Sequence, residues 1–557
     1  MTFNKSLIVI SITALLAAAC SNETTTQAKG NNALAMSPTE KLNSTVNASK
    51  AANELFDTIF MEDVNRNPVR QTYLGIKIDY DKWQDLSEEN SAKELAFAKE
   101  ALQRIQVINV NNLDKQTKLS FQLLTQKLEQ QIADYPWRHH NYPVNQMFGV
   151  HSQIPALLIN QHSIKDTKQA YDYIARVKNS KVLLEQLIDQ LEIRANKGII
   201  APKFVFGHVI RDSKNLTVGA PFDNGADSTL YADFTSKIDK LDITDTEKQA
   251  LTAKLSSALT TEFKAGYQAL VSYLVELEKK ADTTDGAWKF PNGDKFYNNA
   301  LKRTTTTNLT ADEIHKIGLD EVARIHDEMR VIMKKVNYKG TLSEFFQFMR
   351  HDPQFYYAGD DAGRERYLTE ATALINTMKG ELDQLFITKP KADLKVKKVE
   401  AFREKSAGKA FYQQPAPDGS RPGIYYANLY DMEAMPTYQM EALAYHEGIP
   451  GHHMQIALKQ ELEGIPKFRK FGGYTAYSEG WGLYSEMIPK EIGFYQDPYS
   501  DFGRLAMELW RACRLVVDTG IHNKKWNLAQ GIEYYVSNTP NAKSDAIKMV
   551  ERHVVMP

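Results

Sequence analysis

The sequence predicts a mainly α-helical protein with one small β element, and three observations predict it. From Ala51 onward apolar residues recur at helical spacing: Leu184, Leu187, Ile188 and Leu191 form one stripe, and Leu251, Leu255, Leu259 and Phe263 form another. Capping boxes precede such stripes at Thr244-Asp-Thr-Glu247 and Thr310-Ala-Asp-Glu313. There a Thr hydroxyl and a Glu carboxylate accept from amides that the first helical turn leaves free. Alternating β-branched runs are rare, and Gly423-Ile-Tyr-Tyr-Ala-Asn428 is the best candidate for a short strand.

The elements follow in chain order. Met1 to Ala19 has a lone Lys5, an apolar run from Leu7 to Leu16 and small residues before Cys20, the pattern of a signal peptide too short for a comfortable membrane span. Leu16-Ala-Ala-Ala-Cys20 resembles a bacterial lipobox, with Ala17 where Leu is usual. Cys20 is therefore expected to carry lipid and to anchor the chain in the bacterial cell envelope, and Ser21 after it points to the outer membrane. A single acyl chain binds only marginally, so stable anchoring requires the several chains of a bacterial lipoprotein. Residues 20–50 are rich in Thr, Asn and Ser and read as a flexible tether.

The folded part is expected from Ala51, as an N-terminal helical region over 51–285 and a C-terminal metal-binding catalytic region over 290–557, with a cleft between them. Cys513 is the only other cysteine, so no disulfide forms within a chain lipidated at Cys20, and stability must come from burial. A net charge of −1 with interspersed Lys and Glu gives nucleic acid no field to bind. The charged run Lys391 to Lys398 reads as solvated loop, and no later apolar stretch approaches the ~20 residues of a spanning helix.

Chemistry concentrates in His446-Glu447-Gly448-Ile449-Pro450-Gly451-His452-His453. In H-E-x-x-H two histidines share one helical face and bind zinc, while the glutamate works on a water at the metal. Here Pro450 stands four residues after His446, so the pattern is an expanded relative of that motif. If a kinked helix continues through Pro450, about 100° per residue returns His453 to within roughly 20° of the His446 face, roughly 10 Å along the axis. If Pro450-Gly451 breaks the helix, His452 swings in instead. The continuous helix is the expectation, with His446 and His453 as ligands and His452 as the alternative ligand or a neighbouring donor.

A three-ligand catalytic site needs one more protein donor and an open position. Tyr474-Thr-Ala-Tyr-Ser-Glu479-Gly-Trp-Gly-Leu-Tyr-Ser-Glu486 supplies Glu479, far enough downstream for a helix, a turn and a second helix to fold back on the first. Glu486 falls on the same face and is expected behind a ligand rather than on the metal. One Zn2+ per chain is the expected cofactor.

With H-E-x-x-P-G-H-H and the later S-E-G-W-x-L-Y-x-E, the sequence resembles the bacterial DUF885 family, many of whose members are lipoproteins and which is similar to zinc metallopeptidases of the gluzincin type. Phe290-Pro-Asn-Gly-Asp-Lys-Phe-Tyr297, Leu309-Thr-Ala-Asp-Glu-Ile-His315 with Gly318, Glu321 and Val322, Asp418-Gly-Ser-Arg-Pro-Gly423 and the run from Trp510 to His522 look like further signatures. The resemblance implies a large helical metallopeptidase-like fold with a central cleft and a small β element, an edge strand for peptide, near the metal helix. It implies His446 and one histidine of the 452–453 pair as ligands, Glu447 as general base and Glu479 as the gluzincin-type glutamate. Family members continue past the segment resembling Val550–Pro557 into a P-G-Q-A-x-x-Y-K-I-G stretch and further helix, whereas this sequence stops at Pro557; the expectation is that this bears on activity more than on fold.

The expected function is zinc-dependent hydrolysis of peptides, with the metal polarising the scissile carbonyl and Glu447 passing a proton from water to the leaving nitrogen. Tyr474, Tyr477 and His522 are candidate donors to the oxyanion. Arg511 and Arg514 share a helix with Asp518, where Arg514 and Asp518 at i,i+4 suit an ion pair and the two arginines suit a clamp for a substrate carboxylate. Two alternatives remain: a non-catalytic binding or scaffolding lipoprotein with a structural or degenerate metal site, and an amidohydrolase acting on non-peptide amides.

Overall fold

Amphipathic stripes become helices whose apolar faces meet in a few buried clusters. The computed structural model describes residues 38–400, 404–405, 407–417, 419 and 421–557. The expected signal peptide Met1–Ala19, Cys20 and the tether up to residue 37 lie outside the described residues, as do Asp418 and Ser420 of the turn before β3. Residues 38–50, expected as the end of the tether, are helical, because the first helix already runs over Pro38–Asn65. It packs with Glu88–Gln106 and Lys115–Asp134 around Phe56, Phe60, Ile105, Leu124 and Leu128. Phe468, far along the chain, completes this cluster, edge-on to Phe56 at 6.3 Å between ring centres.

The two stripes read from the sequence line the largest core. Leu184, Leu187, Leu191, Leu251, Leu255, Leu259 and Phe263 are all buried, and Ile188 packs at the margin. Both expected capping boxes form, Thr244 with Glu247 and Thr310 with Glu313. The same core takes in Ile325 and Met329 of the helix Ala311–Lys335, Leu509 and Val517 of the helix Pro498–His522, and Tyr535 and Val550 near the end of the chain. It is thus built from both sides of residues 285–290.

Ala311–Lys335 and Pro498–His522 pack along each other and form the axis of the C-terminal half. Gly318 lies where they cross, against Leu515 and Val516. His315 Nδ1 is 2.8 Å from Thr519 Oγ1, and Arg324 bridges Glu321 and Glu508. These contacts fix the rotation of the long helix, and with it the arginines it presents.

The β element is a three-stranded sheet in the order β1-β3-β2: β1 (Leu394–Lys398) runs parallel to β3 (Gly423–Ala427), and β2 (Ala410–Gln413) antiparallel to it. The expected strand at Gly423 is therefore real, but it is the centre of the sheet rather than an edge, and it is buried throughout. The Lys391–Lys398 run is not all loop. Leu394 and Val396 pack inward while Lys395 and Lys397 face solvent, the pattern of a charged edge strand that resists pairing with other chains. Tyr412 and Tyr425 are cross-strand partners, so both side chains leave the same face of the sheet. No helix among the described residues is long and apolar enough to cross a membrane.

Candidate metal centre

The helix Met440–Glu447 carries His446 and Glu447 and ends there, and a second helix, His452–Glu461, starts after Gly451. The continuous helix expected through Pro450 is not present. Pro450 has no amide to continue the ladder, and its carbonyl turns out to accept from Trp481 Nε1 at 2.9 Å and Ser485 Oγ at 3.3 Å. The two helices meet closely: a Cβ on Gly451 would lie 2.0 Å from the His446 carbonyl oxygen, so only glycine fits. Trp481 and Ser485 belong to a third helix, Thr475–Glu491, which brings Glu479 and Glu486 with it. Gly482 faces His446 in that helix, and a Cβ there would lie 2.3 Å from His446 Cε1.

The break re-aims His452. His446, His452 and Glu479 each offer one ligand atom, and these atoms lie within 4.8 Å of one another. His446 Nε2 is 3.8 Å from Glu479 Oε2, and His452 Nε2 is 3.7 Å from Glu479 Oε1. Bonds of about 2.0–2.1 Å to a tetrahedral ion would set ligand atoms about 3.3–3.4 Å apart, so side chains now spread over as much as 4.8 Å would draw in by about an ångström around an ion. Behind it, His446 Nδ1 lies 2.8 Å from Glu486 Oε1, though not in hydrogen-bond geometry, since both Glu486 oxygens are buried without a hydrogen-bond partner.

The electrostatics suit neutral imidazoles beside carboxylates. Burial, then the Arg511 charge, holds His446 well below the usual histidine range, and burial with the neighbouring His446 lowers His452. Burial would raise Glu479, but Arg511, with His446 and His452, holds it below the carboxylate range. Glu447 is pushed up to about 8 by burial and then by the charge of Glu479. Its Oε2 is buried without a hydrogen-bond partner, a costly state unless something in the site meets it. Glu486 is pushed up to about 7, chiefly by burial.

Arg511 threads the same space. Its Nη1 donates to Glu479 Oε2 at 2.9 Å, its Nη2 lies 2.8 Å from His446 Nε2, and its Nε is 3.6 Å from Glu486 Oε1. A guanidinium there balances two carboxylates. One lone pair on His446 Nε2 cannot serve both an arginine and a metal, so a bound ion requires Arg511 to withdraw from that nitrogen. Two imidazoles and a carboxylate in this geometry, with an orphaned buried carboxylate oxygen beside them, fit a divalent metal of the zinc type.

Several expected site residues lie elsewhere. His453 is turned away: its Nδ1 is 3.0 Å from Tyr412 Oη and its Nε2 2.9 Å from the Ala392 carbonyl oxygen, so both ring nitrogens serve the sheet. Tyr474 reaches back to the N-terminal helices, donating to Gln126 Oε1 at 3.0 Å. Tyr477 is 60% exposed and, two residues from Glu479, sits about 160° round the helix from it. His522 lies three turns beyond Arg511, where Nδ1 accepts from the Ala287 amide at 3.0 Å and Nε2 donates to the His553 carbonyl at 2.8 Å. Arg511 is engaged in the cluster rather than free for a substrate. The expected Arg514–Asp518 pair is absent, because Asp518 accepts from Tyr297 Oη at 2.6 Å and pairs with His553 Nδ1 at 2.9 Å.

Sequence reasoning missed Tyr412 and Gly482. Tyr412 carries no local signal, since only strand pairing brings β2 beside the histidines. Gly482 could have been noticed one turn from Glu479 and Glu486, on the face that must approach a metal helix.

Comparison with known proteins follows the same outline. The model of a family described as "Bacterial protein of unknown function (DUF885)" matches residues 68–557. A crystal structure described as that of the "putative lipoprotein from Colwellia psychrerythraea" is 31% identical, covering 92% of this chain and 89% of that one with a TM-score of 0.84. A second structure, described as a "putative lipoprotein of unknown function from Shewanella oneidensis", is 17% identical over 90% of this chain and 89% of that one, with a TM-score of 0.65, and shares the fold. No curated protein matches the sequence.

Proposed function

The chain belongs to the DUF885 family of bacterial proteins, and we propose that it is a zinc-dependent peptidase in which His446, His452 and Glu479 hold the metal and Glu447 is the general base. The observation that carries this reading is the convergence of three ligand side chains, two imidazoles and a carboxylate, beside a buried carboxylate oxygen without a partner. Zinc bound there would supply a Lewis acid and lower the pKa of a water. Glu447, next in sequence to one ligand, would take a proton from the attacking water and hand it to the leaving nitrogen. Glu486 lies behind the His446 ring, and Arg511, released from His446 Nε2, is placed to donate to developing negative charge.

Metal removal tests this. Protein stripped with a chelator is expected to leave a peptide library intact by mass spectrometry, and about one equivalent of Zn2+ is expected to restore cleavage. Cleavage that survives chelation would overturn the reading. One observation favours a second one: with Arg511 on His446 Nε2, the cluster is electrostatically balanced without a metal, as in a non-catalytic binding lipoprotein. That reading expects no zinc uptake in the same titration.

The protein's place, on this reading, is the bacterial envelope, anchored through lipid on Cys20 and facing peptides there. The Leu16–Cys20 pattern supports it, as does the description of the Colwellia psychrerythraea relative as a lipoprotein. Cys20→Ser is expected to move the protein from the membrane fraction to the soluble one; a wild-type protein already soluble would refute the anchor.

A further inference from the structure

Other than Arg514, the arginines enclosed in this chain meet partners through their guanidinium groups, Arg511 included, although its Nε lacks a hydrogen-bond partner. Arg176 donates to Thr72 Oγ1 at 2.6 Å and to the Lys82 carbonyl at 3.0 Å, and Arg194 donates to the Gln190 and Arg138 carbonyls, both at 2.9 Å. Arg514 differs in having no partner for any part of its guanidinium among the described residues, and its Nε is buried. The carboxylate placed for it one turn on, Asp518, is held by Tyr297 and His553. A guanidinium has donors and no acceptor, and an Nε buried without a partner is costly unless an acceptor meets it.

Its surroundings say where such an anion would come from. Arg514 is three residues from Arg511 on the helix Pro498–His522, so their Cβ atoms are neighbours about 5–6 Å apart. Arg511 touches Glu479 and His446, and Glu479 is the half-exposed member of the cluster, with 46% of its side chain accessible. Arg514 thus stands one helical turn from the arginine that contacts two of the ligands, close enough for its charge to act on His446 and Glu479. Burial, then Arg511 and Arg552, push its pKa down to about 10, which leaves it a cation at neutral pH in a net positive neighbourhood.

We propose that Arg514 receives the C-terminal carboxylate of the bound peptide, which makes the site one for peptides cut near their C-terminus. The proposal rests on the peptidase reading for the cut but not for the binding. A residue of extended chain spans about 3.3–3.6 Å, so a carboxylate held one helical turn along from Arg511, which touches the ligands, belongs a few residues at most past the scissile carbonyl. A planar guanidinium reads a carboxylate through two parallel hydrogen bonds, which an amide cannot reproduce. An acidic side chain carries the same group, and the test separates the two sources.

The experiment uses the zinc-loaded full chain with Glu447→Gln, so that peptide binds without being consumed, and measures affinity by calorimetry. Three tetrapeptide probes are compared: free C-terminus, C-terminal amide, and the amide with a penultimate Glu. The free acid is expected to bind at least tenfold more tightly than either amide. Arg514→Gln should erase the difference and Arg514→Lys should restore part of it, with thermal melts reporting the fold of each variant. Equal affinities for acid and amide, a preference surviving in Arg514→Gln, or no binding of any probe would overturn the proposal, and tight binding of the Glu-containing amide would reassign the carboxylate to a side chain. Discrimination without any cleavage of the acid by wild-type protein would sink the peptidase reading and leave Arg514 standing. Cleavage that ignores the C-terminus would do the reverse.

Discussion

Glu447→Gln is expected to keep about one zinc per chain and to lose turnover by about 10²–10⁴-fold, the usual share of a general base, or about 3–5 kcal/mol of barrier. Gln has nearly the same shape as Glu, so the helix Met440–Glu447 and the neighbouring ligand His446 should not move. What it loses is the ability to accept a proton. The same substitution removes a buried charge but leaves a polar amide at the unpartnered position, so the variant is expected to melt close to the wild type. Loss of rate without loss of metal or stability is the signature of a chemical role. Metal content by calorimetry, kcat on a cleaved peptide and a thermal melt measure the three quantities, and unchanged kcat would place the base elsewhere.

The parts of the fold set by local spacing were legible in the sequence. Leu184 to Leu191 and Leu251 to Phe263 became buried faces, and Thr244 and Thr310 became caps, because each is decided within two turns of helix. The strand at Gly423 was readable from its composition, but its central place was not, since that depends on β1 and β2 arriving from elsewhere in the chain. Lys391–Lys398 was misjudged for the same reason: alternation of Leu394 and Val396 with lysines has meaning only once a partner strand is known.

In the site, the motif delivered His446, Glu447 and Glu479, all of which the structure brings into one region, and left the histidine pair open. Helical position alone misplaced Tyr477, whose azimuth opposes that of Glu479, and His522, which is correctly on the long helix but turns away from the cluster. The signature segments around Phe290–Tyr297 and Leu309–His315 serve packing. Tyr297 holds Asp518, and His315 meets Thr519. Tyr297, together with His553, occupies Asp518 and so leaves Arg514 without its intrahelical partner.

The choice between His452 and His453 is expected to give the sharpest metal-binding contrast in the protein. His452→Ala should weaken zinc by more than the 10–100-fold lost with an outer partner, because it removes one of three protein ligands. His446→Ala and Glu479→Ala should behave likewise. His453→Ala should retain full stoichiometry and instead lower the melting temperature, since it leaves Tyr412 Oη and the Ala392 carbonyl without their partner, at a cost of about 1–3 kcal/mol. The geometry behind this is the helix break: on a continuous helix His453 would share the His446 azimuth, but the chain restarts at His452 after Gly451, and the captured Pro450 carbonyl holds the new direction. His452 and His453 are about 100° apart on their own helix, so only one of them can face the cluster while the other faces the sheet. Zinc lost in His453→Ala and kept in His452→Ala would mean that the two helices join differently when metal binds.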